Sequence, residues 1–183
     1  MPIDLAPERS GVITWKGVPV TLQGRAVAAG DKAPDFRLSG GDLSVVTLAD
    51  VLDGGKRAAM FLVVPSLDTG VCSIETAKFS KRVDALPADR LKTYAVSMDL
   101  PFAQKRWCVA ETVANIGMLS DFRDHSFGYA YGVRMKEKGL LARSIFIIGR
   151  DGVVRYVQIV PDGTSEPDYD DAMTAAQAAA AVS

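Results

Sequence analysis

The run Ala58-Ala-Met-Phe-Leu-Val-Val64, closed by Pro65, constrains this chain more than any other stretch. Unbroken apolar residues ending at one that cannot extend a ladder read as a strand covered on both faces. Such a strand needs a layer above and a layer below it, which is the arrangement of an α/β sandwich. The next segment, Pro65-Ser-Leu-Asp-Thr69-Gly-Val-Cys72, sets one of only two cysteines where the strand should hand over to a helix. Helix starts carry unpaired N–H groups and roughly half a positive charge, which favour an anion. A thiol placed there tends to ionise, and the thiolate is the reactive form. The second cysteine, Cys108, is a candidate sulfur partner, so thiol redox chemistry is the leading expectation.

The remaining elements fit the same architecture. Val12 to Trp15 and Val18 to Leu22, joined across Lys16-Gly17, read as a β-hairpin, with short strands near Phe36–Leu38 and Leu43–Thr47. Lys92 to Met98 and Ser144 to Ile148 repeat the buried-strand pattern, and Val153 to Val160 pairs back across Arg150-Asp-Gly152. A helix beginning at Cys72 would carry Cys72, Thr76, Phe79, Val83 and Leu86 down one face. A second helix is predicted over Pro101–Ala114 with Asp99 as its N-cap, and a third over Glu166–Val182. The expectation is one domain over residues 1–183, a mixed central sheet flanked by helices with an N-terminal hairpin. By analogy, a cysteine at such a strand-to-helix turn is typical of thioredoxin-like architecture.

Composition excludes more than it selects. With 21 basic and 22 acidic residues there is no electrostatic case for nucleic acid or an anionic membrane surface. No run approaches the length of a membrane span, and the first residues lack a signal-peptide pattern, so a cytoplasmic location is expected. In a reducing compartment, two cysteines suggest core packing or a catalytic pair rather than a structural disulfide. One histidine and no Cys-x-x-Cys leave no ligand set for zinc or haem, and no cofactor is expected.

The two sulfurs have different predicted settings. Cys72 leads the apolar stripe of its helix and should be shielded. Gln104, Lys105, Glu111 and Thr112 are the helical neighbours of Cys108, placing it on a wet face. A shielded thiolate that attacks an oxygen becomes a sulfenic acid, which condenses with a second thiol to a disulfide. That bond needs Cα atoms roughly 4.4 to 6.8 Å apart, so one or both helix segments are expected to unwind locally during turnover. Around Cys72, Pro65 shapes the loop and the Thr69 hydroxyl can donate to and accept from a peroxide. Asp68 is expected to point away from the sulfur or cap the helix. Arg143, at the edge of a buried strand, is the natural cation to hold both thiolate and oxygen. A non-catalytic redox sensor, a protein thiol–disulfide oxidoreductase and a structural protein with incidental cysteines stay open on these residues alone.

Three segments match a known family: Pro65-x-x-x-Thr69-x-x-Cys72, Ser97-Met-Asp-Leu-Pro-Phe-Ala-Gln104-Lys-Arg-Trp-Cys108 and Leu141-Ala-Arg143. Gly17-Val-Pro-Val-Thr-Leu22, Phe127-Gly-Tyr-Ala-Tyr-Gly132 and Glu166-Pro-Asp-Tyr169 look like it too. The chain resembles the bacterial thiol peroxidases, the atypical two-cysteine branch of the peroxiredoxins, over essentially its whole length. The resemblance implies a thioredoxin-like fold, usually homodimeric. It also implies that hydrogen peroxide or an alkyl hydroperoxide is the substrate and thioredoxin the reductant. It makes Cys72 the peroxidatic cysteine and Cys108 the resolving one, joined in an intrachain disulfide. Thr69 and Arg143 would bind peroxide and steady the thiolate, with Pro65 shielding the site. Two residues depart from the family pattern: Trp107 stands where phenylalanine is usual, and Glu75 where glutamine is common.

Overall fold

The computed structural model describes residues 6–182, and it is built around the predicted buried strand. In chain order the strands are β1 (Glu8–Trp15), β2 (Val18–Gln23), β3 (Leu38–Ser39), β4 (Val45–Val46) and β5 (Ala58–Val63). They continue with β6 (Leu91–Ser97), β7 (Gly117–Ser120), β8 (Arg134–Met135), β9 (Ser144–Ile148) and β10 (Val154–Ile159). The helices are α1 (Leu48–Val51), α2 (Gly70–Val83), α3 (Pro101–Glu111), α4 (Ser126–Ala130) and α5 (Tyr169–Ala181). Seven strands form one mixed sheet in the order β10-β9-β5-β6-β7-β3-β4, with β5 parallel to β6 and antiparallel to β9. The hairpin β1–β2 joins β8 in a second, three-stranded sheet.

All six residues of β5 are buried, because the period-2 alternation feeds two separate cores. Ala59, Phe61 and Val63 face a layer with Phe36, Phe127, Tyr131 and Phe146. Ala58, Met60 and Leu62 face the opposite layer, where α2 and α5 contribute Cys72, Phe79, Ala172 and Ala176. The central sheet is therefore covered on both sides, and the face that holds Cys72 is the helical one. All five residues of the predicted stripe are buried, but only Cys72, Thr76, Phe79 and Val83 lie on α2; the helix ends at Val83 and Leu86 follows in the turn.

Helix α2 begins at Gly70 rather than Cys72, and two further helices differ at their caps or starts, each for a local reason. Asp99 is not the N-cap of α3; Leu100 takes that position with ψ 145, the extended conformation imposed on a residue before proline. The helix also stops at Glu111, where Thr112 turns left-handed with φ 56. Likewise α5 starts at Tyr169 rather than Glu166, since Glu166 precedes Pro167 and Asp168 caps the helix, accepting from the N–H groups of Asp170 and Asp171. Strand β7 escaped the sequence reading because it is short and opens on a glycine. A Cβ on Gly117 would lie 2.6 Å from the Tyr94 ring, so the bare backbone is what admits that ring.

At the end of β7, Asp121 is 1 % exposed and accepts from the backbone N–H groups of Phe127 (3.0 Å) and Gly128 (2.8 Å), organising α4. Burial outweighs these bonds and pushes its carboxyl up to about 6. The folded state therefore holds this proton after the unfolded chain has lost it. Stability contributed here must fall as pH rises from about 4 to about 6, then level off. Urea unfolding across that range should show Asp121→Asn gaining on the parent protein as pH rises; parallel curves would contradict the burial argument.

Candidate active site

The turn after β5 is held in place by an aspartate that the sequence suggested for another task. Asp99 accepts from Ser66 Oγ (2.7 Å), the Leu67 N–H (2.7 Å) and Ser97 Oγ (2.8 Å), fastening the loop to the end of β6. Pro65 is buried at the point where the β5 ladder stops, as a residue without an N–H requires. Thr69 is the N-cap of α2 by backbone geometry, yet its side chain does not cap. Its hydroxyl donates instead to Ser66 O at 3.1 Å and stays half-buried. Asp68 is exposed, and its side chain does not cap α2. The first-turn N–H groups of α2 are thus free of a side-chain cap beside Cys72, which is an anion-favouring setting.

Cys72 is 0 % exposed, and Arg143 Nη2 donates toward its Sγ at 3.1 Å. Arg143, just before β9, is itself 1 % exposed. The same Nη2 also donates to Gly163 O at 3.3 Å, and Nη1 pairs with Glu75 Oε2. Glu75 is fully buried one turn along α2 from Cys72. A guanidinium in this position forks between one carboxylate, one carbonyl and the sulfur, the geometry for which arginine is suited. Gly163 is fixed from outside by the N-terminal hairpin: it donates to Thr14 O at 2.9 Å, and a Cβ there would meet the Trp15 ring at 2.6 Å.

Cys108 has a different environment from the one expected. It is half-buried and packs against the same apolar layer that contains Cys72. The buried face of α3 is Pro101, Gln104 and Trp107, while Phe102 and Val109 are exposed. Polarity predicts Gln104 on the wet side; it lies inside because its amide donates to Ser97 Oγ (3.0 Å) and Leu119 O (2.9 Å). Burial pushes the Cys108 thiol up. Both cysteines are free thiols. Among the described residues no group of His, Cys, Asp and Glu could hold a metal ion, and no helix is long and apolar enough to cross a membrane.

The structure brings together Pro65, Thr69 and Cys72 on one loop and helix start, with Arg143 delivered from β9. Cys108 stands on a neighbouring helix. Sequence reasoning had no view of Asp99 as the loop's anchor or of Gly163 as the arginine's carbonyl. Glu75 was marked only as a departure; its spacing of one helical turn from Cys72 was the available signal.

A buried cysteine at a strand-to-helix turn, faced by a buried arginine, on a two-layered mixed sheet, defines a thiol-dependent redox enzyme of thioredoxin-like fold. Comparison with known proteins agrees. The Redoxin family matches residues 28–173. A thiol peroxidase of Halalkalibacterium halodurans is 49 % identical over 167 residues, covering 91 % of this chain and 98 % of that protein. One from Staphylococcus aureus is 48 % identical over 163 residues, covering 89 % and 96 %. A peroxiredoxin-like protein from Aquifex aeolicus superposes with a TM-score of 0.84 at 37 % identity, covering 93 % of this chain and 99 % of that one. The chain belongs to the Redoxin family, among its thiol peroxidases. It is a peroxide-reducing oxidoreductase.

Proposed function

We propose that Cys72 is the peroxidatic residue and Cys108 the resolving one. The observation that carries this is the Arg143 Nη2–Cys72 Sγ contact of 3.1 Å in a fully buried position at the start of α2. The Cys72 thiolate attacks the outer oxygen of a hydroperoxide, the O–O bond breaks, and a proton leaves with the alcohol or water. Arg143 donates to the departing oxygen, Thr69 Oγ1 binds the peroxide, and Pro65 keeps water from the sulfur. The product is a sulfenic acid on Cys72. The Cys108 thiol then condenses with it, releasing water and forming an intrachain disulfide. A dithiol reductant of the thioredoxin type returns both thiols.

The half-burial of Cys108 on a separate helix supports a resolving step that needs local unwinding of α2, α3 or both. A homodimer in a cytoplasmic, reducing setting fits the same reading. Large apolar side chains exposed on α2, α3 and the residue between β6 and α3 support self-association: Ile74, Leu100, Phe102 and Val109.

Mass spectrometry after one equivalent of peroxide tests the assignment. The expected product is an intrachain Cys72–Cys108 link, passing through a single added oxygen on Cys72. An oxygen found first on Cys108, or a link between chains, would overturn it.

A further inference from the structure

The residues next to the two sulfurs in sequence are bonded to each other. Ser73 follows Cys72 on α2, Trp107 precedes Cys108 on α3, and Trp107 Nε1 donates to Ser73 Oγ at 3.1 Å. An indole N–H is a donor only and needs an acceptor when buried; Trp107 is 7 % exposed. Over the second half of α3, from Lys105 to Glu111, every residue is exposed except Trp107 and the half-buried Cys108. On the other side, the first turn of α2 has no side-chain cap. A hydrogen bond thus joins α2 to α3 beside the two sulfurs, and a step that unwinds either helix there must break it.

The bond also fixes which faces meet. Successive helical residues point about 100° apart, so neighbours one position along do not share a face. The bond holds Ser73 and Trp107, not Cys72 and Cys108, against one another, and both cysteines are free thiols.

We propose that the Trp107–Ser73 hydrogen bond is a latch that sets the fate of the oxidised Cys72, with both residues acting as positioning residues for resolution. The inference rests on the roles of Cys72 and Cys108 proposed above. The sulfenic acid has two exits. It condenses with the Cys108 thiol, giving a disulfide and water, or it reacts with a second hydroperoxide, giving a sulfinic acid and one alcohol or water. The first exit requires residues 73 and 107 to part; the second proceeds with the latch closed. The latch therefore slows resolution and raises sensitivity to excess peroxide.

Stopped-flow kinetics of disulfide formation, with mass spectrometry of the sulfinic product at a fixed peroxide excess, tests this in the full-length protein. Trp107→Phe and Ser73→Ala each remove the bond. Each should resolve about five-fold faster and yield about five-fold less sulfinic acid, the factor that ~1 kcal/mol of net hydrogen bonding represents. The double variant should go no further than either single one, and Ser73→Thr, which keeps a hydroxyl, should behave like the parent. A purely structural role for Trp107 would lower stability without moving the partition between the two products. Equal partition in parent and variants overturns the latch, as does a change in Trp107→Phe that Ser73→Ala does not share. Should Trp107→Phe fail to fold, Ser73→Ala alone decides. Parent protein showing no oxygen on Cys72 at all would instead sink the underlying assignment.

Discussion

Cys72→Ser is expected to abolish peroxide consumption, because a hydroxyl in the same pocket cannot be oxidised to the sulfenic state. Cys108→Ser should behave differently. Given one equivalent of peroxide per chain it should consume it, since the first attack needs only the Cys72 thiolate, and rest at the sulfenic acid without cycling. Addition of a thioredoxin system should not restart it by the intrachain route. A dimedone adduct on Cys72 in that variant, and none in Cys72→Ser, would register the trapped sulfenic acid. Equal loss of the first oxidation in both variants would show that the two sulfurs have been given the wrong order.

The second large effect concerns the guanidinium. Arg143→Ala leaves the fully buried Glu75 without its cation, and breaking a buried pair in this way costs about 3–5 kcal/mol of stability. It also removes the donor aimed at Cys72, and loss of such a preorganised donor lowers rates by about 10²–10³. These two consequences can be separated. Glu75→Gln keeps the side-chain volume and an acceptor for Arg143 while removing the competing charge. It should weaken the fold, yet hold the first oxidation within about ten-fold of the parent, because the guanidinium remains at the sulfur. Denaturant unfolding and single-turnover oxidation, measured on both variants, would check the pair of outcomes. A rate in Glu75→Gln as low as in Arg143→Ala would mean that the carboxylate, not the arginine, governs the sulfur.

Much of this was readable from residues, and the misses have physical causes. The Ala58–Val64 run and the Cys72-to-Leu86 stripe were legible because burial imposes strict periodicity on strand and helix. Pro65, Thr69, Cys72 and Arg143 stand out by residue chemistry, and the fold sets the first three on one loop and helix start with Arg143 against Cys72. Polarity misled at Gln104, which is inside because two hydrogen-bond partners wait for its amide there. Capping propensity misled at Asp99, whose carboxylate is claimed by a loop thirty-odd residues earlier in the chain. Gly163 was invisible because its contribution is a backbone carbonyl, which any residue carries.

The reach of those contacts along the chain has a consequence for when the protein becomes dangerous to itself. The sulfur comes from α2, its guanidinium from the edge of β9, the carbonyl that steadies that arginine from beyond β10, and the ring over that carbonyl's residue from β1. No short fragment contains this set, so a nascent or denatured molecule carries only an ordinary cysteine. On the roles proposed for Cys72 and Arg143, susceptibility to oxidant arrives with completion of the tertiary structure and is lost again on unfolding.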